Sequence, residues 1–373
     1  MNMLDKAPYL LQEFLFFRGR VALYAILKAL GVGTCDEVAI QAFTCVAVPE
    51  AIIAAGARPV FIDIEHNGFN MSPADLVRKI TPKTRAIVVQ HTYGIPASMD
   101  PIIQCAGEHG IPIIEDCCHS FVSAYKGNTI GNFGVASFYS FEWGKPIVIG
   151  IGGSAVINDN ALRDNIRQAY TSYGSPGFVR QMKIQAQYIA FRILYRPSLY
   201  WKVRTLFHWL SALRVVEQNY NPIQENNIVE DFRLRMAPFL QSRLARKLGK
   251  MDQCVRHSSL VSNAYRSKIS SRIVAHPVLP KNNDIVFARY PLLANNKHVL
   301  LEMARSAGVE LADWYSSPVH PLSKHQLDLV GYALGSCPNA EDRSGEVVTL
   351  PTHSSVGKRD IDRIVEFFNQ VVM

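Results

Sequence analysis

Short apolar runs alternate with helical patterns along the first half of the chain, and this alternation limits most strongly how the chain can fold. Each run is about as long as a strand that is buried on both faces. Between them lie helical patterns, such as Leu23, Leu27 and Leu30 after Gly19, and another near 72–80. Strands joined by helices form right-handed units of a parallel sheet. We predict a mainly parallel central sheet with strands at 37–41, 59–64, 86–91, 111–114, 136–141 and 153–157.

Three chemically distinctive side chains follow neighbouring strands of this predicted sheet. Asp116 comes directly after one apolar run, Ser140 lies near the end of the next, and Lys145 lies in the glycine-rich loop beyond it. Ligands of open α/β sheets bind outside the carboxyl ends of the strands. We therefore expect Asp116, Ser140 and Lys145 to converge there.

A lysine, a buried aspartate and small polar groups together suit one kind of chemistry. A lysine amine can form a Schiff base with the carbonyl of pyridoxal phosphate, while an aspartate keeps the ring nitrogen protonated. Taken singly, an aspartate after a strand is more often a cap or turn residue, and a loop lysine is more often a solvated charge. The joint spacing with the glycines favours the cofactor site.

Two motifs resemble those of the DegT/DnrJ/EryC1/StrS family of sugar aminotransferases: D-x-x-H at 116–119 and S-F-x-x-x-K-x-x-x-x-G-x-G-G at 140–153. The resemblance covers nearly all of the chain except about 170–228. It implies an α/β, three-layer PLP-transferase fold with a mainly parallel central sheet. It also implies a large cofactor-binding domain over 1–245 and a smaller α+β carboxy-terminal domain over 246–373.

The resemblance implies a role for each residue of the two motifs. Lys145 would hold the cofactor and later move a proton between the two carbon centres, and Asp116 would hold the ring nitrogen. His119 would hydrogen-bond the ring hydroxyl or stack on the ring, and Ser140 would bind the phosphate. A relative with histidine in place of the lysine would be a dehydratase, so Lys145 favours an aminotransferase.

A second phosphate contact is predicted at the helix start Gly19-Arg20-Val21. Free backbone N–H groups and the helix dipole attract an anion there. Relatives usually carry Thr or Ser where Arg20 stands, so we expect the backbone of Arg20 and Val21, with the guanidinium, to bind the phosphate. The alternative is an ordinary surface arginine at a helix start.

Three more residues are predicted to lie near the cofactor: Thr44, Cys45 and Arg233. Thr44 is predicted to cap a helix that begins in the segment 43–47. Cys45 stands where relatives often place an aromatic residue on the cofactor ring, and it either packs on the ring or is a plain core residue. Relatives commonly carry Asn where Arg233 stands, reaching across a dimer interface to the partner's cofactor phosphate. Arg233 either keeps that contact or has lost it.

Two features are predicted in the carboxy-terminal third. His320 either lines the substrate channel or is an ordinary loop histidine. Apolar residues at helical spacing predict one long helix that leads out of the large domain; they are Met236, Leu240, Leu244, Leu248, Met251 and Val255.

The composition indicates a globular protein and argues against a metal-binding, nucleic-acid-binding, secreted or membrane-spanning one. The chain has 373 residues, 48% of them hydrophobic and 19% charged, which is typical of a globular protein with sizeable cores. Its seven cysteines show no metal-ligand spacing, so we expect no metal and a reducing, cytoplasmic compartment. The net charge of +8 could attract nucleic acid, but no nucleic-acid recognition motif accompanies it, so we expect no nucleic-acid partner. We find no convincing signal peptide and no uninterrupted spanning segment of roughly 18 residues.

The segment 176–216 combines seven basic residues with many aromatic ones and has no acidic residue. A helical segment of this kind suits the surface of an anionic membrane, which predicts peripheral contact at the inner membrane face. The alternative is a helical insertion that packs on the domain and presents a basic face to a nucleotide. The basic residues are Arg180, Lys183, Arg192, Arg196, Lys202, Arg204 and Arg214.

These observations lead to one principal hypothesis of function. We expect a homodimer with shared active sites that transfers an amino group, from L-glutamate, to a keto sugar on a nucleotide or lipid carrier. A non-catalytic, ligand-binding homologue of the same fold is the alternative. It is motivated by the departures from the family pattern at Arg20, Cys45, Ile151 and Arg233.

Overall fold

The computed structural model describes residues 14–120, 122–213, 215–218 and 231–371. Its strands are β1 (Phe14–Phe16), β2 (Glu37–Gln41), β3 (Thr44–Cys45), β4 (Arg58–Ile62), β5 (Thr84–Gln90), β6 (Ile113–Asp116), β7 (Ala124–Tyr125), β8 (Asn128–Thr129), β9 (Ala136–Ser140), β10 (Gly153–Ile157), β11 (Val274–Ala275), β12 (Asn283–Asp284), β13 (Arg289–Ala294), β14 (Val319–His320) and β15 (Val347–Pro351). Its α-helices are α1 (Gly19–Ala29), α2 (Ala47–Ala55), α3 (Pro73–Lys79), α4 (Met99–His109), α5 (Asn160–Tyr170), α6 (Phe178–Leu194), α7 (Tyr200–Ala212), α8 (Pro238–Leu248), α9 (Met251–Lys268), α10 (Lys297–Ser306), α11 (Pro338–Glu346) and α12 (Lys358–Gln370).

A seven-stranded sheet forms the centre of the protein, in the order β1-β10-β9-β6-β5-β2-β4. The five strands from β9 to β4 are parallel, and β10 and β1 extend the sheet by antiparallel pairing. Helices cover both faces, because Ile114 of β6 packs in the cluster that contains α1, whereas Ile113 packs against α4. The predicted three-layer α/β fold with a mainly parallel sheet is confirmed.

A second, smaller sheet lies in the carboxy-terminal part of the chain. Strands β11, β13 and β15 pair in antiparallel fashion, and α9, α10 and α12 contribute buried residues to the adjoining core. The predicted domain boundary between residues 245 and 246 falls inside α8. The division into domains stays a prediction.

The segment around Thr44 differs from the predicted helix start. Phe43 has a φ of 64°, and Thr44 and Cys45 form the short strand β3, which pairs with β14. The helix α2 begins only at Ala47, and the hydroxyl of Thr44 donates to Gln90 Oε1 at 2.7 Å instead of capping it. The prediction of a Thr44 cap is wrong because the backbone pairs with a strand that lies far away in the sequence.

The predicted long helix between residues 236 and 255 is two helices. Its apolar seam is buried as expected, since the six seam residues all lie in one core cluster. The helix breaks between α8 and α9 at Gly249 and Lys250. Glycine costs about 1 kcal/mol in a helix interior relative to alanine, so a break at Gly249 is inexpensive.

Candidate active site

A cavity of about 760 Å³ opens at the carboxyl ends of β6 and β9. Gly19, Asp116, His119, Ser140 and Lys145 line it together. The volume suits a small-molecule site. The expected convergence of Asp116, Ser140 and Lys145 is therefore present, although each arises from a different segment of the chain.

Asp116 is the last residue of β6, and its side chain is almost completely removed from solvent. One carboxylate oxygen accepts a hydrogen bond from the Cys118 N–H at 2.9 Å. Burial raises the pKa of Asp116 above its ordinary value, against the opposing influence of the Lys145 ammonium. A further cation bound in the cavity would stabilise the charged form of this buried carboxylate.

His119 is held as a neutral ring. Its Nδ1 accepts from the Tyr93 N–H at 3.2 Å, so the proton of the neutral ring lies on Nε2, 3.2 Å from the Tyr315 hydroxyl. Burial, followed by the charge of Lys145, lowers the pKa of His119 well below its ordinary value. His119 can therefore offer one hydrogen bond from Nε2 but carries no charge at neutral pH.

Lys145 lies in the loop that follows β9. Its N–H donates to the Glu142 carbonyl at 3.3 Å in a turn that passes through Gly144, whose φ of 76° favours glycine. The Lys145 amine lies 5.3 Å from the centre of the Trp314 ring, a cation–π distance. The turn therefore directs the lysine amine into the cavity.

A buried charge network fixes this loop. The Arg18 guanidinium lies 3.1 Å from both Glu142 and Glu217 and 3.9 Å from Asp231. Arg180 of α6 pairs with the same Glu217 and Asp231. Breaking one partner of a buried network leaves an uncompensated charge and is strongly destabilising. The network ties the Lys145 loop to α6 and to the segment that follows α7.

The start of α1, where a phosphate contact is predicted, lines the same cavity. A side chain at Gly19 would place its Cβ 3.0 Å from Ser140 Cβ and 3.2 Å from the Tyr139 carbonyl oxygen, so the helix start packs closely against the end of β9. The guanidinium of Arg20 pairs with the buried carboxylate of Glu50. Burial raises the pKa of Glu50 despite that ion pair. The arginine side chain is thus engaged within the fold, which leaves backbone groups as the more suitable phosphate contact.

Comparison with known proteins identifies the family. The model of the DegT/DnrJ/EryC1/StrS aminotransferase family matches residues 17–369. The chain belongs to this family. Among its relatives, the GDP-perosamine synthase of Escherichia coli O157:H7 is 42% identical over 146 residues, which is 39% of this chain and 40% of that protein. The pleiotropic regulatory protein of Geobacillus stearothermophilus is 27% identical over 94% of this chain and 83% of its own length.

The solved structures agree on the fold. The crystal structure of S. venezuelae DesV superimposes with a TM-score of 0.76 at 23% sequence identity, covering 99% of this chain and 88% of that one. The predicted family and fold class are confirmed, and family membership indicates pyridoxal phosphate as the cofactor. The matched segment of the GDP-perosamine synthase spans less than half of that enzyme.

Three residues that were predicted to bind the cofactor do not belong to the described cavity lining: Val21, Thr44 and Arg233. Val21 donates its N–H to the Arg18 carbonyl at 3.2 Å, and Thr44 faces Gln90. Arg233 is exposed, in a turn whose carbonyl accepts from the Gly174 N–H at 2.9 Å. A contact of Arg233 across a dimer interface stays a prediction.

Cys45 and His320 line the cavity, whereas Ile151 does not. Cys45 lines the cavity and is half-buried, beside the backbone of His320. His320 also lines the cavity, and its contact with a substrate stays a prediction. Ile151 is buried in the core, away from the described lining.

Aromatic side chains surround His119, and sequence reasoning assigned only the Tyr93 loop among them, to positioning. Trp314 packs on the His119 ring with centroids 4.6 Å apart, and the Tyr93 hydroxyl lies 2.5 Å from the Trp314 carbonyl. Trp314-Tyr315 resembles a family segment, but the pattern carries no chemistry by itself. Only the folded chain brings Trp314 and Tyr315 to the ring of His119.

Three buried side chains have metal-ligating atoms close together: His91, Glu115 and Cys117. However, Glu115 accepts backbone N–H groups from Gly131, Phe133 and Gly134 at 2.6, 2.7 and 2.9 Å. His91 Nδ1 accepts from the Ala97 N–H, so its Nε2 proton donates to Glu115 at 3.1 Å. These bonds account for the cluster as a core network that anchors the loop before β9.

The basic aromatic segment forms two helices, α6 and α7, that close one side of the cavity. Trp143, two residues before the lysine, packs on Phe191 of α6 with ring centres 4.5 Å apart. Arg214 lies outside the described residues. Within the part of the chain that the structure describes, no helix has both the length and the apolar character to cross a membrane.

Proposed function

We propose that this protein is a pyridoxal-phosphate-dependent aminotransferase that moves an amino group from L-glutamate to a keto sugar attached to a nucleotide or lipid carrier. The observation that carries the proposal is the meeting of Lys145 and the buried Asp116 carboxylate in one cavity of a family aminotransferase. Names of relatives such as GDP-perosamine synthase support a sugar as the acceptor.

The residues of the cavity fit the cofactor. Pyridoxal phosphate supplies an electron-withdrawing ring that stabilises negative charge on a substrate carbon. Asp116 compensates the positive ring nitrogen, which offsets the cost of burying its carboxylate. The Nε2 proton of His119 is directed at the Tyr315 hydroxyl, so the His119 ring would stack on the cofactor ring. The Gly19 end of α1 and the Ser140 hydroxyl would bind the phosphate. The Lys145 amine accepts and returns the substrate proton.

The direct test follows the cofactor by its visible absorbance. We expect the purified protein, loaded with pyridoxal phosphate, to be yellow, to lose this colour on addition of L-glutamate and to regain it with 2-oxoglutarate. A preparation that gains no chromophore from the cofactor would contradict the assignment of the site. D-glutamate serves as the control for a specific amino donor.

A non-catalytic homologue is the second candidate. A relative matched over 94% of this chain is named a pleiotropic regulatory protein, and Arg20 and Cys45 depart from the family pattern beside the cavity. The same spectrum separates the two candidates. A bound chromophore that reacts with no amino donor would favour the regulatory reading over the enzyme.

We also propose a homodimer with shared active sites, in which Arg233 reaches the partner's phosphate site. Its exposed position before α8 supports a role at an interface. A mass of one chain in light scattering at micromolar concentration would contradict this arrangement.

Peripheral contact with an anionic membrane is proposed through α6 and α7. Their outer faces expose large apolar side chains, among them Phe178 at 75%, Met182 at 53% and Ile193 at 62%. Basic residues interleave with them, and each contributes about 1 kcal/mol near an anionic surface. The combination of inserted apolar side chains and nearby cations suits a helix pair lying in the headgroup region.

We expect the protein to sediment with anionic but not with neutral liposomes, and less at high salt, where the charges are screened. Changing Arg192, Arg196 and Lys202 together to Glu should abolish sedimentation. The matched control changes Arg256, Arg272 and Lys281, which are exposed but lie outside α6 and α7, and should sediment like the unmodified protein. Equal recovery of both triple variants would exclude a membrane role for this helix pair.

A further inference from the structure

Helix α7 is unusual because it buries none of its residues. All thirteen residues of this helix are described, and none is fully buried, although most are apolar. Trp201 packs partly against the core, where its indole N–H donates to the Val309 carbonyl at 2.7 Å. A helix in a globular protein normally depends on the burial of one apolar face for its stability. The apolar face of α7 is instead turned toward the cavity, with Val203, Leu206, Phe207 and Leu210 at positions i, i+3, i+4 and i+7.

The facing wall is also apolar. Phe191 and Leu194 of α6 line the same space, which continues to Lys145. In this wall of α6 and α7, Arg204 is the one described lining residue that is charged at neutral pH. His208 is neutral, because burial and the neighbouring Arg204 lower its pKa. Tyr195 and Tyr200 are also neutral, because burial raises the pKa of both phenols.

Two polar side chains of this wall are already engaged, since the Gln187 amide bonds the Glu217 backbone and the Tyr195 hydroxyl donates to Glu310 at 3.0 Å. Tyr200, His208 and Ser211 are the other polar members. The wall therefore offers few groups that could recognise the polar edges of a nucleotide base.

Arg204 lies where the apolar wall meets the polar end of the cavity. Burial, followed by the charges of Lys297, Lys145 and Arg204, lowers the pKa of His320 to about 3, so these three cations all lie near this ring. Lys297 is paired with Asp313. Arg204 stacks over Trp201, 5.4 Å from the ring centre, and has no carboxylate within salt-bridge distance among the described residues. Its charge is available to an anionic ligand.

We propose that this cavity binds an acceptor sugar carried on a phosphorylated long apolar chain, with a carrier phosphate at Arg204 and the chain along Val203, Leu206, Phe207 and Leu210. The inference rests on the proposed aminotransferase function and selects the lipid carrier over the nucleotide. Leu206, Trp209 and Leu213 are 45%, 61% and 54% exposed, so apolar surface continues from the cavity to the outside of α7. A chain longer than the cavity can follow this surface.

The test compares three soluble probes by calorimetry with the cofactor-loaded protein: farnesyl diphosphate, inorganic diphosphate and UDP. The diphosphate is common to all, so differences report the carrier. Burial of part of the farnesyl chain is expected to make its dissociation constant at least roughly tenfold lower than that of inorganic diphosphate. UDP is expected to bind no more tightly than inorganic diphosphate. Tighter binding of UDP than of farnesyl diphosphate would overturn the proposal.

Three single substitutions test which side chains contact the farnesyl chain and which contact the diphosphate. Leu206→Gln should weaken farnesyl diphosphate roughly tenfold and leave inorganic diphosphate unchanged, because it removes apolar contact only. Leu260→Gln makes the same change at an exposed leucine of α9, away from the cavity lining and from the apolar surface of α7, and should bind like the unmodified protein. Arg204→Gln should weaken both diphosphates. Because these side chains are not buried, thermal melting should show that all three variants fold, and equal behaviour of the two leucine variants would refute the assignment.

Failure of this inference is distinguishable from failure of the proposed function. The reaction with L-glutamate does not involve the sugar carrier. If the unmodified protein reacts with glutamate but does not prefer farnesyl diphosphate, the carrier inference is wrong and the aminotransferase proposal stands. If it prefers farnesyl diphosphate but never reacts with an amino donor, the apolar site stands and the aminotransferase proposal is wrong.

Discussion

Replacing Lys145 with alanine is expected to lower transamination by roughly a thousandfold or more, since proton transfer by a positioned side chain is worth about that much and no other described lysine amine shares this position. The variant should still bind the cofactor through the Asp116 and Gly19 ends of the cavity. Reduction with borohydride, however, should no longer attach the cofactor covalently to the protein.

The control is Lys126→Ala. Lys126 is an exposed lysine paired with Asp100 on the surface, outside the described cavity lining. Mass spectrometry after borohydride treatment should find the cofactor on Lys145 in this control and in the unmodified protein. Attachment to a different lysine, or full turnover by Lys145→Ala, would show that the chemistry lies elsewhere.

Local sequence patterns predicted the two strands and the loop that carry Asp116, Ser140 and Lys145. The strand that ends at Asp116 and the strand that ends at Ser140 are set by short apolar runs, and parallel topology then brings their ends together. The turn at Gly144 and the motif spacing place Lys145 at the same edge. These features depend on residues that are neighbours in the chain or lie in adjacent strands.

The sequence failed where distant segments decide the structure. Thr44 joins a strand only because residues 319–320 are present to pair with it, and no local propensity reports that. The position of α7 over the cavity depends on the charge network of Arg18 and Arg180, which connects segments up to about two hundred residues apart.

Replacing Asp116 with asparagine is expected to change activity and stability in opposite directions. The variant keeps a side-chain oxygen for the Cys118 N–H but cannot compensate a positive ring nitrogen. Turnover should therefore fall by about a hundredfold or more, as for loss of a group that controls a proton. Asp100→Asn, an exposed aspartate outside the described lining, is the control and should retain activity.

The stability effect follows from the pKa of Asp116 in the cofactor-free protein. Because burial raises this pKa, the folded state holds the charged carboxylate at a cost, and that cost is fully present above the folded-state pKa. It disappears as the pH falls below the unfolded-state value, where the group is neutral in both states. The cofactor-free Asp116→Asn variant should thus melt at a higher temperature than the unmodified protein at pH 7.5. The difference should shrink on acidification. A lower melting temperature at pH 7.5 would mean that the carboxylate stabilises the empty site, contrary to a residue placed there for a cationic ligand.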